Sequence, residues 1–180
     1  MSITTLDIAT LSVGLLIARL TLGLAMAAHG AQKLLGWFGG YGLKGTGGFF
    51  EGLGFRPGVA FAAAASVSEV VGGLLLALGF LGPIGPALII GVMIVAAVTV
   101  HMKNGFFAAT NGFEVAYLYA GGAAALLLTG PGLYSLDAVL GLGSQWTPAV
   151  LLGVLAAGIA GGFANLLLRR TVPAPAVPQH

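Results

Sequence analysis

Cysteine is absent, which excludes disulfides, thiol redox chemistry and iron–sulfur ligation by this chain alone. Charge is nearly absent too. Only 7% of the 180 residues are Asp, Glu, Lys or Arg, whereas a soluble domain uses roughly a quarter. With 58% hydrophobic residues and a mean hydropathy of +1.03, lipid must be the solvent for most of the chain. The few Lys and Arg are scattered or sit at segment ends. The pI near 9.2 therefore reflects scarcity of acids and leaves no electrostatic footprint for nucleic acid. The sequence has no Ser/His/Asp set, no phosphate loop after a strand and no carboxylate–histidine metal spacing, so no metal site is expected.

What is present is apolar helix, punctuated by glycine and proline. Five spanning helices are expected, at about residues 10–35, 59–81, 84–101, 112–129 and 147–168, all in one membrane domain over 1–170. The fold class is all-α, a polytopic membrane helical bundle. Ala25-Met26-Ala27 resembles a signal cleavage site, but Asp7 precedes the apolar run and Arg19 interrupts it, so a retained first helix is expected. The proline-rich tail 171–180 lacks apolar bulk and reads as disordered. Lys33, Lys44, Arg56, Lys103, Arg169 and Arg170 all fall on one side of this topology, which puts the C-terminus in the cytoplasm and the N-terminus outside.

Between the first two spans lies a loop dense in glycine and aromatic residues, from Gly36 to Gly58. Trp37, Phe38 and Tyr41 suit the headgroup zone, and a short interfacial helix after Thr46 would turn Phe49, Phe50 and Leu53 to lipid. Gly72-Gly73, Gly121-Gly122 and Gly158-x-x-x-Gly162 allow close helix contacts, and the last also fits a homo-oligomer contact.

Against this background the ionisable residues stand out. Counting from the expected helix ends puts Arg19 and Glu69 within roughly 5 Å in depth, so an intramembrane ion pair is expected, structural or functional. His29 and Lys33 share one helix face, and His101 and Glu114 lie on the same side of the membrane. These four form a candidate cofactor site near the cytoplasmic boundary. Each also has a plain structural reading: Lys33 can snorkel, His101 can sit at the interface, and Asn111-Gly112-Phe113-Glu114 fits a capping box. A histidine beside Lys and Glu suits a quinone carbonyl, and His29 with His101 could instead ligate a haem.

The ordered motifs resemble the DoxX family of small bacterial membrane proteins. They are Arg19-Leu-Thr-Leu-Gly, His29-Gly-Ala-Gln-Lys-Leu34, Trp37-Phe-Gly-Gly40, Gly54-Phe-Arg-Pro57, Glu69 with Gly72-Gly73 and Leu78-Gly79, and Gly130-Pro-Gly132-x-x-Ser135-Leu-Asp137. The resemblance spans about Leu16 to Leu140 and implies a four-helix core, so the helix after Thr147 is an addition to it. It further implies a bacterial inner-membrane (plasma-membrane) protein linked to quinone oxidoreductase complexes, with a soluble oxidoreductase as partner. The first functional reading is accordingly a membrane subunit of a quinone-linked redox complex. The alternative is a non-catalytic anchor or scaffold for soluble partners. No catalytic residue is assigned to the isolated chain.

Overall fold

The structure, a computed structural model, describes residues 5–170. The tail read as disordered, 171–180, lies outside the described residues. Seven α-helices are described: α1 Thr5–Leu35, α2 Gly42–Gly52, α3 Gly58–Leu78, α4 Ile84–Ala96, α5 Glu114–Thr129, α6 Leu136–Val139 and α7 Pro148–Leu166. There is no strand among the described residues. The all-α membrane bundle is what the chain forms. Four helical segments are long and apolar enough to cross a membrane, Asp7–Leu35, Gly58–Leu78, Ile84–Asn104 and Pro148–Leu166.

α5, expected to span, is shorter, at 16 residues or about 24 Å. The residues before it fold back as a compact loop instead of extending the helix. Asn111 takes a left-handed conformation (φ 60°), and the amides of Gly112, Phe113 and Glu114 donate to the carbonyls of Phe107, Gly105 and Phe106. The capping box expected at Asn111 and Glu114 therefore does not form.

α1 and α3 pack antiparallel with their backbones nearly touching. A Cβ on Gly23 would stand 2.5 Å from the Gly73 carbonyl, and one on Gly30 would stand 2.7 Å from the Ser66 carbonyl. Lipid tails are as apolar as leucine, so close backbone approach is what makes such a pair favourable in a bilayer. These contacts fix the register: Gly23 opposes Gly73 and Ala77, and Gly30 opposes Ser66 and Val70. Gly158 and Gly162 do the same between α7 and α4, against the Ala87 and Gly91 carbonyls. The Gly-x-x-x-Gly motif is thus used inside the chain.

Two further features shape one end of the bundle. α4 ends in a π-helical turn, Ala97–His101, where the Thr99 hydroxyl donates to the Val95 carbonyl at 2.8 Å. The extra residue in such a turn re-aims the side chains that follow it. The end of α7 is latched to the loop between α2 and α3. Arg169 Nε donates to the Leu53 carbonyl (2.9 Å), the Arg170 amide donates to the Gly54 carbonyl (2.8 Å), and the Arg169 guanidinium sits 6.0 Å from the centre of the Phe55 ring.

The glycine register is directly testable. Gly30→Ala should destabilise the bundle by about 1–3 kcal/mol, because α3 has to move away. Gly14→Ala, whose Cβ meets nothing within 4 Å, should leave stability unchanged or slightly raised. Unfolding of both variants in mixed micelles compares them.

Candidate functional site

Arg19 and Glu69 do not pair. The register set by the glycines places Arg19 beside Ala77 and Gly79, about 12 Å along α3 from Glu69. Counting from helix ends failed because α1 runs well past the end of α3. Arg19 consequently lies at the level of the α3–α4 turn. Its guanidinium donates to the carbonyls of Tyr134 (2.5 Å) and Ala77 (3.4 Å), while Nε is buried without a hydrogen-bond partner. Gly79 closes α3 in a left-handed conformation (φ 62°), and a side chain there would collide with Arg19 and Ser135.

Buried Asp137 completes this cluster. Its carboxylate accepts from the amides of Leu81 (2.9 Å) and Gly82 (2.7 Å) and from the Trp146 indole (2.7 Å). It offsets the Arg19 charge without a direct ion pair. Ser135 caps the short α6 by accepting from the Ala138 amide, and so holds Asp137 in place. Asp137 lies in the first turn of α6, and Trp146 reaches it from the connection before α7. An acid held by two turn amides was the signal available, in the Leu81-Gly82-Pro83 turn that follows Gly79. The group ties three connections together and leaves no open face for chemistry.

Glu69 pairs with Lys33 instead. Lys33 Nζ donates to Glu69 Oε1 in a direct salt bridge, with the carboxylate fully buried and the lysine about a third exposed. Glu69 Oε2 is also buried, and no hydrogen-bond partner reaches it. Lys33 opens onto a cavity of about 820 Å³ enclosed by α2, α3, α4 and α7. Phe49, Phe50, Phe55 and Phe61 give it aromatic walls, and Thr99 and His101, from the π turn, line it as well. Phe50 and Leu53, expected to face lipid, line this cavity too. The reason is that α2 starts at Gly42, earlier than expected, and Thr46 and Gly47 are its buried residues, the latter against Val59.

Of the four residues proposed from sequence, Lys33 and His101 share this cavity. His101 Nδ1 is held 3.0 Å from the Asn111 carbonyl, which makes Nδ1 the donor and leaves Nε2 for a ligand. His29 and Glu114 are not among its lining residues. The His29 ring stands edge-on to Tyr119 of α5, with centroids 5.9 Å apart. Glu114 Oε2 accepts the Ala108 amide at 2.7 Å and so caps the loop before α5. His29 and His101 therefore do not meet in one cavity, as joint haem ligation would need. Among the described residues no group of three or more His, Asp or Glu could hold a metal ion.

The Lys33–Glu69 pair has an energetic signature. Lys33→Met alone should cost about 3–5 kcal/mol, since it strands a carboxylate with nothing to neutralise it. The double variant Lys33→Met/Glu69→Leu should recover most of that loss. A double-mutant cycle on unfolding in detergent measures the coupling, and additive effects would show that the two charges do not depend on each other.

No curated protein and no solved structure matches the chain significantly. A family model does. Residues 14–102 match the DoxX family, a span that holds Arg19, the Lys33–Glu69 pair and His101 but stops short of Asp137, Trp146 and α7. Through this span, just under half of the chain, the protein matches the DoxX family of membrane proteins.

Proposed function

We propose that the chain is a membrane subunit of a quinone-linked redox complex, with the cavity beside Lys33 receiving the quinone head. The observation that carries this reading is a half-open aromatic chamber whose one strong donor is backed by a buried carboxylate. Its volume lies within the ~300–1,000 Å³ usual for small-molecule sites. A quinone head is flat and apolar with carbonyl acceptors at its edge. The phenylalanines would flank its faces, and Lys33 and His101 would supply polar contacts at its rim.

A bound quinone supplies two-electron, two-proton redox chemistry. The residues of this chain bind and handle protons. Lys33 Nζ has three N–H donors, and Glu69 is its only acceptor among the described residues, so donors remain for a ligand carbonyl. Glu69 Oε2, buried and without a partner, lies next to that contact, and the carboxylate it belongs to holds the ammonium in place. His101, held through Nδ1, can exchange a proton at Nε2 with the cavity. Without cysteine, the chain draws electrons from a soluble oxidoreductase partner rather than from thiols or clusters of its own.

Lys33, Lys44, Arg56, Lys103, Arg169 and Arg170 flank the cavity end in sequence, and Arg169 and Arg170 touch the loop that follows α2. This supports a multi-pass protein of the bacterial inner membrane with the cavity end and C-terminus in the cytoplasm. One observation favours the anchor role as the second reading. Phe38 and Tyr41 are 69% and 87% exposed, with Phe38 in a left-handed conformation (φ 52°) and its carbonyl accepting from Gln32 Nε2 at 3.1 Å. A strained, exposed aromatic loop is a natural docking point.

Protein purified in mild detergent should release about one quinone per chain on solvent extraction. The Lys33→Met/Glu69→Leu variant should lower affinity for added quinone about tenfold or more, through loss of a charged hydrogen bond. Quinone-free protein that retains a soluble partner until Phe38 and Tyr41 are changed to Ala would establish the anchor role instead.

A further inference from the structure

The Lys33 cavity does not end at mid-bundle. Ser68, Gly91, Val92 and Asn165 in its wall also line a second cavity, of about 410 Å³, between α3, α4 and α7. This trench continues along α4 from Val92 to Ile84, about 12 Å of helix towards the opposite membrane face. Its walls carry no charged side chain. The one side-chain amide in them, from Asn165, donates to the carbonyl of Gly161 at 2.9 Å. A chamber holding a cation that opens into an uncharged trench has the shape of an amphiphile with one head and one long tail.

Glycine usage on α7 points the same way. Gly158 and Gly162 are needed for contact with α4, since a Cβ on either would stand 2.9–3.0 Å from a carbonyl oxygen. Gly161 lines the trench, yet a Cβ there would meet nothing within 4 Å. Gly161 is exposed, so no part of the chain covers the trench at that position. We infer that the ligand of the Lys33 cavity carries a long apolar tail, of isoprenoid or alkyl type, and that α7 beds this tail at Gly161 and Ala157. The tail bed presupposes the head site at Lys33 and His101. A bulk lipid chain could fill the trench, but its continuity with the polar chamber favours the tail of the ligand seated there. α7 lies outside the span that matches the DoxX family, so one wall of the tail bed is supplied by a part of the chain beyond that match, the other walls coming from α3 and α4.

The test uses two benzoquinones with the same dimethoxy-methyl head, one without a tail and one with a decyl chain. Each is titrated calorimetrically into the full-length protein in one mild detergent. Wild-type protein should bind the decyl compound more tightly, each buried methylene contributing a factor of about four before detergent competition. Gly161→Leu should weaken the decyl compound about tenfold and leave the tail-less one unchanged. Ala157→Phe, further along the trench, should do the same. Equal binding of both compounds to wild type overturns the tail bed, and so does decyl affinity that survives both variants, which would mean that bulk lipid occupies the trench. Parallel loss of both compounds in both variants also overturns it, because head and tail sites would not be separable. If neither compound binds the wild type, the head site itself is wrong and the quinone reading falls with it.

Discussion

The placement of the two cations of α1, Arg19 and Lys33, depends on how closely α1 and α3 approach. In a bilayer no water is expelled when two apolar helices meet, so attraction comes from atoms that can touch. Gly23, Gly30 and Gly73 let the two backbones touch, and in doing so they lock one helix lengthwise against the other. A shift by one turn, about 5.4 Å, would carry Lys33 away from Glu69 and Arg19 away from the turn carbonyls. Glycines without any chemistry of their own thus decide which charges are neutralised.

Two solutions to the problem of intramembrane charge follow from that register, one at each end of the α1–α3 pair. At the Arg19 end the charge is surrounded by carbonyls and by an acid whose own oxygens are taken by turn amides and an indole. Arg19 Nε also lacks a partner there, but Arg19 and Asp137 are sealed from any cavity and the cluster holds loops in place. At the Lys33 end the pair is simpler and less complete, with a carboxylate oxygen left without a partner and the lysine facing a chamber. Incomplete satisfaction is costly in a purely structural element, because a buried unpaired oxygen has given up its hydration for nothing. It is tolerable where a ligand or a proton completes the set.

Much of the fold was legible because hydropathy and helix punctuation are local properties. The spans around Gly58–Leu78, Ile84–Asn104 and Pro148–Leu166 follow from composition and from the breaks at Pro57, at the Gly82–Pro86 turn and at Thr147. Lys33 and His101 were legible as candidates because an ionisable group near apolar helix needs company, and the two do line one cavity. Their partners were not. Pairing Arg19 with Glu69 required a register, and a sequence shows where helices end far better than how they slide. His29 illustrates the same limit across helices: sharing a face with Lys33 did not bring it to the cavity, because that face also meets Tyr119 of α5. Glu114 matched a capping pattern, but the left-handed turn at Asn111 sent its carboxylate to Ala108. The chamber itself has no signature in any one segment, since its lining comes from five helices.

The latch of Arg169 and Arg170 onto Leu53 and Gly54 has a consequence for biogenesis. The helix that fastens onto the loop beside the chamber, α7, is synthesised after the other spanning helices, and domains tend to assemble from the N-terminal side as the chain emerges. While the ribosome is still making α7, the aromatic wall built from α2 and α3 stands open along one flank. A hydrophobic guest can then diffuse in sideways from the surrounding lipid, before the last helix docks and the two arginines fasten it. Because the chamber stays half-open after α7 has docked, the latch changes how wide that access is and does not abolish it.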